Sequence, residues 1–121
     1  MIVLAVAVML AGASEAETRH NFSECLNRAM TQAQAQKVAP DAFIAFAQTA
    51  CGATAAPFEE ALVKTNVGHG MARKAAQTDA ASQVTDYYSE RLENYRFMVE
   101  AAPTQAAPTQ PAPTQAAAKA D

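Results

Sequence analysis

The sequence predicts an all-α fold: a small helical hairpin or bundle of about four helices, with one disulfide and a disordered Pro-rich C-terminal tail. Three observations predict it. Apolar residues recur at steps of three and four through the middle of the chain. Alanine, the strongest helix former, supplies most of the apolar half of the composition. Two cysteines, Cys25 and Cys51, lie symmetrically about the helix break Val38-Ala39-Pro40-Asp41.

The 121 residues divide into three segments, 1–16, 21–101 and 102–121. The first begins with Met1 to Ala13, MIVLAVAVMLAGA, which has no charged side chain and is too short to span a bilayer. It is expected to be the apolar stretch of a signal peptide. Ala11 and Ala13 place a cut before Ser14, and Ser14 and Ala16 place one before Glu17. No Lys or Arg precedes the run, so either the amino terminus supplies the positive charge or the start lies upstream of Met1. Leu10-Ala11-Gly12 matches three places of a lipobox, but Ala13 stands where a lipidated cysteine must be. An exported protein is expected, periplasmic or secreted, with no stable membrane anchor.

The first helix is expected from Phe22 to Val38, started by the capping pattern Asn21-Phe22-Ser23-Glu24. Phe22, Cys25, Leu26, Ala29 and Ala33 share one of its faces. Proline 40 disfavours helix in Ala39 and suits the first turn of a new helix, expected from Pro40 to Cys51 with Gly52 as its stop. Its stripe is Phe43, Phe46 or Ala47, Ala50 and Cys51. Each cysteine stands 13 residues from Val38, about 20 Å along a helix. In an antiparallel hairpin the two therefore meet, near its open end. A bridge closing about 26 residues stabilises by about 3 kcal/mol in the chain-entropy model. For about 80 folding residues, where a core alone is marginal, that is a large contribution.

A third helix is expected from Pro57, with Phe58, Leu62 and Val63 on its apolar face, ending in the joint Val67-Gly68-His69-Gly70. The fourth runs from Met71 to Ala102. Its stripe is Ala81, Val84, Tyr88, Leu92, Tyr95, Val99 and Ala102. Packing onto the hairpin is its first expected use. Self-association through residues 81–102 is the second, which makes Val84, Tyr88, Leu92, Tyr95 and Val99 the candidate interaction face. The charged residues Glu90, Glu93, Arg96 and Glu100 read as a solvated face with Glu93–Arg96 and Arg96–Glu100 in pairing range. The tail then repeats Pro-Thr-Gln from Pro103, Pro108 and Pro113, a composition that favours polyproline II over a packed fold.

The pattern of one cysteine on each arm of an Ala-rich hairpin, from Cys25 to Cys51, resembles small exported proteins of Gram-negative envelopes. In size and class the chain is also similar to the small disulfide-bonded acid-stress chaperones of the periplasm. The resemblance carries no active residues.

Net charge is -3, which disfavours a broad nucleic-acid surface. Nucleophile elbow, zincin and phosphate-loop motifs are absent, so no catalytic residue is expected and the chain is not expected to be an enzyme. Close C-x-x-C spacing is absent too, which favours a structural bridge over redox chemistry. No cofactor is expected. The alternative is copper: His69 and Met71 offer imidazole and thioether donors in an exported chain. The leading expectation is a non-catalytic binding or scaffolding component of the bacterial cell envelope, acting on an envelope protein or on copies of itself.

Overall fold

A computed structural model describes residues 13–106. Residues 1–12 of the leader run and the tail from residue 107 onward lie outside the described residues. Those described form three helices and no strand: α1 (Glu15–Ala35), α2 (Pro40–Gly68) and α3 (Arg73–Ala106). The all-helical class and the disulfide agree with expectation, whereas the count of four helices is corrected to three.

α1 starts seven residues ahead of the expected Phe22. Its N-cap is Ser14, whose side chain accepts from the Glu17 amide at 3.1 Å. Ser14-Glu15-Ala16-Glu17 is thus the operative capping sequence, with two acids in the first turn to favour the helix dipole. Asn21 and Glu24 sit exposed inside the helix, because the core stripe already begins at Thr18.

α2 corrects a second expectation. Gly52 and Pro57 do not stop it; 29 residues run unbroken, about 43 Å. Proline 57 has no amide to give the preceding turn, and glycine is a weak helix former. Both lie on the exposed side of the helix. On the other side Phe43, Ala47, Cys51, Ala55, Phe58 and Leu62 form one buried stripe at steps of three and four. Burying that stripe outweighs two unfavourable residues on the solvent face.

The two turns share one geometry. After α1, the Lys37 amide donates to Gln34 O at 3.1 Å and the Val38 amide to Ala33 O at 2.9 Å. After α2, the Met71 amide donates to Asn66 O at 3.0 Å and the Gly70 amide to Val67 O at 3.0 Å. Both are Schellman ends, which need a left-handed residue after the cap. Gly70 supplies it with φ 98° at little cost, and Lys37 supplies it with φ 57° despite its Cβ.

α2 packs against both other helices, and α1 and α3 meet along a narrower line. Small side chains permit the close approach: Ala29, Ala33, Ala47, Ala76 and Ala80 are essentially inaccessible. Two aromatic groups supply the bulk. Phe22, Phe58, Tyr87 and Tyr88 draw the three helices together, with centroids 5.3 to 5.8 Å apart. Phe43 and Tyr95 stack at 4.6 Å between α2 and α3.

The Cys25–Cys51 bridge joins α1 to α2 with a Cα separation of 5.8 Å. It sits mid-way along the hairpin and not at its open end. α1 begins earlier than expected, and α2 continues from Cys51 to Gly68, about 25 Å further.

α3 extends 34 residues, about 51 Å. Its backbone is helical through Ala106, so the helix runs past Pro103, where the tail was expected to begin.

Candidate interaction surface

α3 has two faces with different uses. On the inner face Val84, Tyr88 and Tyr95 are buried, and Leu92 and Val99 are half-buried against the same core. These five were the candidate interaction residues, and all five pack within the molecule. Ala80 stands in the stripe where Ala81 was expected; Ala81 is exposed.

Polar groups pin this inner face. The Tyr95 hydroxyl donates to the Val38 carbonyl at 2.6 Å, reaching from α3 to the α1–α2 turn. Burial raises the phenol of Tyr95, and that of Tyr88, above the ordinary value. Arg91 donates to the Ser23 hydroxyl at 2.7 Å and so ties α3 to α1. Its second partner is the exposed Glu90 at 3.1 Å, while its Nε is buried without a partner. At the other end, Asp79 accepts from Asn66 and from Gln83, each at 2.8 Å, and locks the α2–α3 joint. Tyr95, Arg91 and Asp79 each tie α3 to another part of the fold.

The outer face carries Phe97, two residues beyond Tyr95 and about 200° round the helix from it. It is 76% exposed. Phe22, Phe43 and Phe58 are buried and Phe46 is half-buried, so Phe97 alone of the five phenylalanines faces solvent. Glu93, Arg96 and Glu100 surround it in register, and Arg96 pairs with Glu93 at 3.4 Å. Reading the stripe for its inward residues passes over Phe97. Its signal is an aromatic ring at a step of four from Glu93 and three from Glu100.

His69 and Met71 both lie exposed at the α2–α3 joint, His69 as the cap of α2 and Met71 bonded through its amide to Asn66. The cysteines are joined to each other and leave no thiolate donor. Among the described residues no three His, Cys, Asp or Glu side chains gather to hold a metal.

Open hollows mark the surface of the described residues. One of about 330 Å³ is lined by Gln83, Asp86, Tyr87 and Glu90 on α3. Another of about 380 Å³ lies between α2 and α3 and is lined by Ala56, Glu59, Glu60, Val63, Arg73 and Gln77.

No protein-family model, no curated protein and no solved structure matches this chain. A disulfide fits an extracellular or periplasmic setting. No described helix is long and apolar enough to cross a membrane.

Proposed function

We propose that this chain is an exported helical protein of the bacterial cell envelope that acts by binding or scaffolding and not by catalysis. The observation that carries the reading is Phe97. In a chain with few large apolar side chains, one aromatic ring stands 76% exposed on an otherwise charged helix face. Rings of this kind, rimmed by Arg and Glu, act as anchors when a partner covers them. The bridge supports the role by fixing α1 and α2 as a rigid base for α3. The polar groups between the helices support it as well, since they serve the fold.

The test uses the exported chain carrying a photo-crosslinking residue at position 97, and in parallel at the exposed Thr85 on the same helix. A discrete crosslinked species at 97, to an envelope protein or to a second copy, is expected, with none at 85. Light scattering then separates the two kinds of partner. A monomeric protein that crosslinks equally at both positions, or at neither, overturns the reading.

A further inference from the structure

We infer that the chain is processed by a signal peptidase at the Ala13–Ser14 bond, so that the first residue of the mature protein is also the N-cap of α1. This rests on the export reading and names the cut within it. Two bonds meet the small-residue requirement: Ala13–Ser14, preceded by Ala11 and Ala13, and Ala16–Glu17, preceded by Ser14 and Ala16. Sequence rules do not choose between them, but the first turn of α1 does.

Backbone geometry separates the two bonds. Ser14 is extended, with φ -68° and ψ 160°, and the helix begins at the next residue. A peptide that binds along the edge of a sheet does so as an extended strand. The Ala13–Ser14 bond lies ahead of the helix, where that conformation is open to the chain. It is lost at Glu15 and Ala16, which are already wound into the helix. The cap itself is a contact between Ser14 and Glu17, near neighbours in the sequence.

Bonding separates the two products. The Ser14 carbonyl accepts from the Thr18 amide at 2.9 Å. The Thr18 hydroxyl shares its proton between Ser14 O and Glu15 O, both at 3.0 Å. Thr18 is only 3% exposed in the folded chain, where Ser14 and Glu15 supply those acceptors. Glu15 also pairs with Arg19, whose guanidinium lies 5.8 Å from the Phe58 ring centroid on α2. A cut before Glu17 removes the cap, both acceptors of a buried hydroxyl and the partner of Arg19. A cut before Ser14 keeps them all. The step is hydrolysis: water oxygen joins the Ala13 carbonyl carbon, the C–N bond breaks, and the proton passes to the Ser14 amine.

The test is expression of the full chain in a Gram-negative host, followed by intact mass and N-terminal sequencing of the periplasmic fraction. A chain starting at Ser14 is expected. A start at Glu17 overturns this inference and leaves export standing. A chain kept in the cytoplasm with its leader attached overturns the export reading itself. The variant Ala13→Leu gives a second readout, since a large residue before the bond blocks cleavage there. Accumulation of uncleaved precursor, or a start moved to Glu17, is expected. Unchanged processing of the variant overturns the proposal.

Discussion

The hydroxyl of Tyr95 lies 2.6 Å from the carbonyl oxygen of Val38, and this contact joins the far part of α3 to the turn between α1 and α2. Val38 is held from two sides. Its amide donates back into α1 at Ala33 O, and its carbonyl accepts from α3. Beneath it the Tyr95 ring stacks on Phe43 in the first turns of α2. One side chain therefore fixes the mutual height of all three helices.

Tyr95→Phe keeps the ring and removes the bond. The expected loss is about 1–2 kcal/mol, because the Val38 carbonyl is left partly buried without its donor. Alkaline pH supplies a second readout. Burial raises the Tyr95 and Tyr88 phenols above the ordinary 10.0. Below pH 10 both phenols are protonated in folded and unfolded chains alike. Above it the unfolded chain releases protons that the folded chain retains, so stability falls as pH rises. Urea titrations between pH 8 and pH 11 should show a shallower alkaline decline for Tyr95→Phe than for the parent chain. Parallel declines would remove Tyr95 from this account.

The bridge makes the next prediction. Cys25 and Cys51 close a separation of 26 residues, worth about 3 kcal/mol in the chain-entropy model. Cys25→Ala with Cys51→Ala is expected to lower unfolding free energy by about that amount while the far-ultraviolet helical signal stays. The parent chain treated with a reductant should fall to nearly the same midpoint. Equal midpoints for bridged and unbridged chains would show that the aromatic groups alone hold α1 on α2.

Much of this architecture was legible in the residues, and the parts that were not have local causes. The symmetry of Cys25 and Cys51 about Val38 identifies the hairpin, since antiparallel helices bring equidistant residues to one height. Gly70 identifies the second turn. The start of α1 was hidden because Ser14, Glu15 and Ala16 lie within the segment read as leader, while Asn21-x-x-Glu24 has the same pattern as Ser14-x-x-Glu17 further on. Gly52 and Pro57 suggested a break because helix propensity is a local quantity, whereas the register from Cys51 through Ala55 to Phe58 is not interrupted. Phe97 stands opposite the inward stripe, so the periodicity that marks the core carries no information about it.

Relieving those two positions tests whether burial is what carries α2 through them. A Cβ added at Gly52 meets nothing within 4 Å, and the residue is exposed. Gly52→Ala is therefore expected to stabilise by about 0.5–1 kcal/mol. Pro57→Ala restores an amide facing the Ala53 carbonyl and is expected to add about 1–3 kcal/mol. Thermal unfolding of each variant measures the gain. A loss at position 57 would mean that the helix depends on the bend or packing that proline provides.

The last prediction concerns Lys37, the counterpart of Gly70 at the other turn. Both residues occupy the left-handed position of a Schellman end, but only one is glycine. The lysine side chain is exposed, so the turn gains no packing from it. A left-handed conformation costs a residue with a Cβ about 1–2 kcal/mol. Glycine escapes that strain yet loses about 0.5–1 kcal/mol through the greater freedom of its unfolded chain. Lys37→Gly should thus stabilise by about 0.5 kcal/mol, the difference of two opposed terms. Gly70→Ala sets strain and unfolded-chain freedom against each other with the signs reversed, and it should destabilise by a similar amount. Chemical denaturation of the two variants side by side reads both signs. If Lys37→Gly destabilises, the lysine must contribute a folded-state contact that its exposure does not suggest. If Gly70→Ala is neutral, the two turns are not energetic counterparts despite their shared hydrogen bonds.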